Sequence, residues 1–134
     1  MLRKLKKKDK LNFEYFADKN HLSKYLFSEF IKSKKLAFIS EEKNKIEGLI
    51  FVTKQDNDCY LNIISNSKRI TNNLLKIFFW NYKKSIYAKI EENNKIGFIL
   101  KTNGFKIVNK QDTTFLLYYN PEDKRKKYGS RNHR

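Results

Sequence analysis

Chemistry in this chain concentrates in Ser65-Asn-Ser-Lys-Arg69, a polar and basic stretch between the apolar run Cys59-Tyr-Leu-Asn-Ile-Ile64 and a segment of helical periodicity. The run is rich in β-branched and aromatic residues and predicts a mostly buried strand. From Ile70 the apolar residues recur at Leu74, Ile77 and Phe78, with a second row at Leu75, Phe79 and Tyr82, which predicts a buried helix. A strand, a short loop and a helix N-terminus hold anions well, because free N–H groups and the helix dipole face the loop. Lys68 and Arg69 add formal charge at that point. An ordinary strand-to-helix connection has the same appearance, so the stretch needs support from elsewhere in the chain.

Other chemistries are poorly supplied. The single Cys59 rules out an internal disulfide and reads as a packed thiol. His21 and His133 lie far apart with no second cysteine, so no zinc pattern exists, and His21 reads as a surface residue. The basic start, Met1 to Lys8, lacks the apolar run of a secretory signal, and no apolar stretch has transmembrane length. The expectation is a soluble, intracellular (cytoplasmic) protein.

A length of 134 residues with 15% aromatic content allows one domain with a real core, here taken as residues 1–121, followed by a basic tail, 122–134. The net charge of +16 suggests a polyanionic partner, nucleic acid or an anionic surface. A chain rich in Lys, Asn and Ile also fits an AT-rich coding sequence, and of the 30 Lys and Arg only Arg3, Arg69, Arg125, Arg131 and Arg134 are arginine. The tail concentrates Lys124, Arg125, Lys126, Lys127, Arg131 and Arg134, a candidate for sequence-blind nucleic-acid contact.

The remaining elements must position the loop. Leu2–Lys8 fits either a lysine-protected edge strand or a frayed terminus. Asp9 or Asn12 can cap a first helix carrying Phe13 and Phe16. Asn20 can cap a second, with His21 in its first turn and a stripe of Leu22, Tyr25, Leu26 and Phe30. Leu36–Ile39 and Ile46–Val52 form a hairpin, with Asn44 suited to the left-handed turn and Gly48 marking a bulge or close backbone approach. Ser85–Ile90 alternates as a strand. Glu91-Glu-Asn93 then starts a helix carrying Ile96, Ile99 and Leu100, which Asn103-Gly104 ends, and Gly97 within it marks close packing against a strand or ligand. Phe105–Val108 and Thr113–Tyr119 complete the order β-α-α-β-β-β-α-β-α-β-β. The expected class is α+β, a three-layer arrangement with a central mixed, mostly antiparallel sheet flanked by helices.

That order, with Asn44-Lys-Ile-Glu-Gly-Leu-Ile50 and Glu92-Asn-Asn-Lys-Ile-Gly-Phe-Ile-Leu-Lys-Thr-Asn-Gly104-Phe105, resembles the GNAT superfamily of N-acetyltransferases over nearly the whole chain before the tail. The resemblance implies acetyl transfer from acetyl-CoA to an amine that the sequence does not identify. It implies that the central strand (Ile63, Ile64, Ser65) holds the acetyl-pantetheine arm and that the loop (Asn66, Lys68, Arg69, Ile70, Thr71) holds the coenzyme pyrophosphate. Asn93 matches a position that contacts coenzyme. The departures are specific. Both glycine positions of the family loop carry side chains, Arg69 and Thr71, and the usual tyrosine acid is replaced by Leu100. Glu47 and Tyr87 are the remaining catalytic candidates. The alternative is a catalytically inactive module of the same fold, a pseudoenzyme that binds nucleic acid or sits in a nucleoprotein assembly.

Overall fold

The structure, a computed structural model, describes residues 1–32 and 36–122. The tail residues Lys124, Arg125, Lys126, Lys127, Arg131 and Arg134 lie outside the described residues. Among the described residues seven strands form one mixed sheet in the order β1-β2-β3-β4-β5-β7-β6, with four α-helices. In chain order these are β1 (Leu2–Lys4), α1 (Lys10–Lys19), α2 (Tyr25–Lys32), β2 (Ala37–Glu42), β3 (Lys45–Gln55) and β4 (Asp58–Ser65). They continue as α3 (Lys68–Asn81), β5 (Ile86–Glu91), α4 (Lys95–Thr102), β6 (Lys106–Gln111) and β7 (Thr114–Tyr119). Element types and order are those expected from the sequence. The β4–β5 pair is parallel, while β1–β2, β2–β3, β5–β7 and β6–β7 are antiparallel. None of the described helices is long and apolar enough to cross a membrane.

The chain divides into two units, one made of Met1–Val52 with Asn62–Asn81, the other of Thr53–Leu61 with the chain from Tyr82. In the first unit, Phe13, Phe16 and Ala17 of α1 and Phe27 and Phe30 of α2 pack on Ile39, Leu49 and Phe51. Phe13 meets Phe27 at 5.5 Å and Phe30 meets Phe51 at 5.0 Å between ring centroids. Burying aromatic side chains of this size supplies most of the favourable free energy on this face. Leu2–Lys4 is the edge strand, not a frayed end, because Arg3 donates to both carboxylate oxygens of buried Asp9, at 2.8 and 2.7 Å, and to Glu41 at 2.7 Å. The β2–β3 hairpin turns through Lys43 and Asn44, both at positive φ (52° and 64°), as a two-residue turn of matched twist requires.

The starts of α2, α3 and α4 differ from expectation. Asn20 does not cap α2; it closes α1, its side-chain amide donating to the Phe16 carbonyl at 2.9 Å. His21, at φ 59°, lies between the helices, and the Ser23 hydroxyl accepts from the Tyr25 amide before α2 starts. Asparagine serves either end of a helix, so its identity alone does not tell which. Of the expected stripe Leu22, Leu26 and Phe30 pack on the core, joined by Phe27 and Ile31, while Tyr25 is 82% exposed.

In the second unit, α4 lies against Ile86, Ala88 and Ile90 of β5, all buried. A Cβ on Gly97 would come within 3.1 Å of Ile90 Cγ2, so this glycine marks contact with a strand. The helix begins later than expected. Asn94 is its cap, accepting from the Ile96 amide at 3.0 Å, and Asn93 is an exposed turn residue ahead of it. Glu91 stays in β5 because its backbone pairs with Thr114 and its carboxylate accepts from the hydroxyls of Thr113 and Thr114. Gly104 ends α4 at φ 101°, and Phe105 folds back under it, its amide bonded to the Leu100 carbonyl.

Candidate functional site

The loop between β4 and α3 is built by hydroxyls. Ser65 Oγ accepts from the Ser67 amide at 3.2 Å and donates to the Ser67 carbonyl at 3.1 Å, which closes the chain into a tight step. Ser67 then acts as the N-cap, its Oγ accepting from the Ile70 amide at 3.4 Å and its carbonyl from the Thr71 amide at 3.0 Å. Serine is a preferred residue there, and this was the signal in the sequence for a helix starting at Lys68 and not at Ile70. The amides of Lys68 and Arg69 lie in the first turn, with no helical carbonyl behind them, and both side chains are exposed. Thr71 is turned the other way. It is 1% exposed, and its Oγ1 donates to the Ser67 carbonyl at 2.9 Å, so its side chain packs into the fold.

Gly48 seats this turn. A Cβ there would lie 2.7 Å from Ile70 Cγ2, 3.0 Å from Leu74 Cδ1 and 3.4 Å from the Ile64 carbonyl, so only glycine lets the first turns of α3 rest on β3 in this position. Next to it the β2–β3 register shifts. Ser40 pairs with Gly48 but Glu41 with Ile46, which leaves Glu47 as the extra residue of a bulge. Strict alternation would put Ile46 on the face of Gly48 and Ile50. With the bulge, Ile46 instead joins Leu49 and Phe51 in the cluster under α1 and α2.

Exposed Glu47 borders a cleft of about 80 Å³ together with Asn12, Tyr15 and Lys19 of α1 and Asn66 of the loop. The first unit thus brings Glu47 to the same cleft as Asn66. Ile63, Ile64, Ser65, Lys68, Arg69, Ile70 and Thr71 follow one another through the end of β4 and into α3. Asn12 was legible only as a possible helix cap, a place Asp9 takes, and neither it nor Tyr15 signalled a cleft, because α1 shows only its apolar face as periodicity.

The other candidates lie in the second unit. Tyr87 on β5 is half-buried between Tyr60 and Tyr118, at ring centroid distances of 5.6 and 4.7 Å. Burial, then the charge of Asp58 and the neighbouring phenols, push its own phenol above the ordinary tyrosine value, so it stays neutral at physiological pH. Burial and adjacent Cys59 push Tyr82 up to about 12. Leu100, where the resemblance places a tyrosine acid, is fully buried. Among the described residues no group of three His, Cys, Asp or Glu side chains is placed to hold a metal ion.

No family model matches the sequence, and no curated protein matches it. Solved structures do. The GNAT-family acetyltransferase of Streptococcus pneumoniae superposes with a TM-score of 0.76 at 12% identity, covering 90% of this chain and 98% of that one. An N-acetyltransferase of Staphylococcus aureus gives 0.70 at 15% identity, covering 89% and 95%. The PaiA N-acetyltransferase of Thermoplasma acidophilum, solved in complex with coenzyme A, gives 0.57 at 15% identity, covering 90% and 98%. The fold of this chain is that of the GNAT N-acetyltransferases.

Proposed function

We infer that the chain is a divergent acetyl-CoA-dependent N-acetyltransferase whose coenzyme rests on the loop Ser65–Thr71 at the N-terminus of α3. One observation carries this reading: Thr71, at a glycine position of the family loop, buries its side chain and bonds it to the Ser67 carbonyl, so it does not crowd the outward amides of the first turn. Those of Lys68 and Arg69, with the two side-chain charges and the helix dipole, suit a pyrophosphate. Bound there, acetyl-CoA would supply an activated acyl thioester. An incoming amine must lose a proton, and in this reading Glu47 accepts it, a role supported by its lining the cleft that Asn66 also lines.

A second reading is favoured by Leu100, fully buried where the family pattern carries a phenol: a module that keeps the fold without turnover and binds polyanions through its basic surface. Calorimetric titration of the full chain with acetyl-CoA separates the two. Micromolar binding, about −8 kcal/mol, is expected. Arg69→Glu, which replaces a charge-assisted donor by a like charge beside phosphate, is expected to weaken it about tenfold or more. No heat at millimolar coenzyme would leave the second reading standing.

A further inference from the structure

The second unit carries an array that the acetyltransferase reading does not use. Tyr60 pairs with Tyr87 across β4–β5, Tyr87 with Tyr118 across β5–β7, and Tyr118 with Lys106 across β7–β6. Four neighbouring strands therefore present one row, Tyr60-Tyr87-Tyr118-Lys106, on one face of the sheet. This is the face opposite α4. Ile86, Ala88 and Ile90 point toward that helix, so Tyr87, Lys89 and Glu91 point away from it. The next row along is Lys89 paired with Leu116, and then Glu91 paired with Thr114. Tyr60, Tyr87, Leu116 and Tyr118 are each only half-buried, and Lys89 and Lys106 are exposed.

The rings are in tilted contact, 33° between Tyr60 and Tyr87 and 41° between Tyr87 and Tyr118. The face of Tyr60 is open enough for the Lys89 ammonium to lie 5.0 Å from its centroid. A lysine held there by a weak cation–π contact and a 3.4 Å bond to Gln55 is easily exchanged for a flat π-system, and its charge is then free for a phosphate. Of the carboxylates nearby, Glu91 is engaged by two threonine hydroxyls, and Asp58 is the one that opposes an anion.

We propose that this face is a platform for single-stranded nucleic acid, with bases stacking on the Tyr60-Tyr87-Tyr118 row and Lys89 and Lys106 on the phosphates. Aromatic side chains on an exposed sheet face, interleaved with cations, take unstacked bases with little sequence preference because every base offers a π-face. A net charge of +16 favours a strand over a neutral ligand of similar shape.

The test uses the full chain and two fluorescein-labelled probes, a dT 12-mer and an abasic 12-mer with the same phosphates. Charge anywhere on the chain attracts both alike, so the difference isolates base contact. Anisotropy titration is expected to give at least tenfold tighter binding of the dT strand. Tyr118→Ser should reduce the dT preference about fivefold or more, leaving the part that Tyr60 and Tyr87 supply, while Tyr118→Phe, which keeps the ring, retains the preference in full. Lys106→Gln, an exposed change on the edge strand β6, should weaken both probes together and reduce the dependence on salt. Equal affinity of the wild-type chain for the two probes would overturn the proposal. So would a dT preference undiminished by Tyr118→Ser in a chain with an unchanged melting profile.

Discussion

Replacing Arg3 with alanine is expected to remove about 2–4 kcal/mol of stability, read as a shift of the urea midpoint at constant slope. β1 is only three residues long, and its side-chain attachment is this guanidinium. Arg3 forks onto both oxygens of Asp9 and reaches Glu41 as well, and the side chains of Arg3 and Asp9 are 14% and 3% exposed. Taking away the cation leaves Asp9 buried with the Lys6 amide, 2.7 Å away, as a remaining donor. Losing one member of a buried pair typically costs about 3–5 kcal/mol, and the partial exposure of Arg3 and Glu41 lowers the figure here. A loss below about 0.5 kcal/mol would show that the network does not hold β1 in place.

The same group sets a pH dependence. The hydrogen bond from Arg3 holds the Asp9 carboxyl below the ordinary aspartate range, and the Lys6 amide and the charge of Arg3 add to it against the cost of burial. A depressed folded-state value contributes stability that is fully present above the unfolded value, about 3.9, and is lost as pH falls through the folded one. The stability gap between the wild-type chain and Asp9→Asn should therefore be flat above about pH 5 and close below about pH 4. A gap that stayed constant into the acid range would remove Asp9 from the acid sensitivity of the fold.

Gly48→Val is expected to cost about 1–3 kcal/mol and to weaken coenzyme binding in the same protein. The added Cβ would meet Ile70 at 2.7 Å and Leu74 at 3.0 Å, with the Ile64 carbonyl closing a third side, so the relief available is a shift of the first turns of α3. Those turns carry the amides assigned to the pyrophosphate. Combining Gly48→Val with Ile70→Ala should recover part of the stability, because it removes the atom in collision, and the non-additivity measures the contact directly. If the two changes add without coupling, Ile70 is not what Gly48 accommodates. If stability falls while acetyl-CoA affinity holds, the α3 N-terminus is not the anion site.

What the sequence by itself determined about this protein is its local grammar. The turn at Lys43-Asn44, the helix stop at Gly104, the strand at Cys59–Ile64 and the α3 stripe each rest on neighbours within a few residues, where φ preference and apolar period act directly. Their order carried the fold, and the loop before α3 was visible as a basic break between strand and helix. Only the tertiary structure decided the rest, because it depends on register and on which of two partners wins. Gly48 signalled a bulge or a close approach, but that Glu47 is the extra residue follows only from the register, in which Ser40 pairs with Gly48 and Glu41 with Ile46. Asn20 closing α1, and Thr71 spending its hydroxyl inside the fold, are outcomes of competition between near-equal hydrogen bonds. Tyr60, Tyr87 and Tyr118 are far apart in the chain, and strand pairing alone makes them a row.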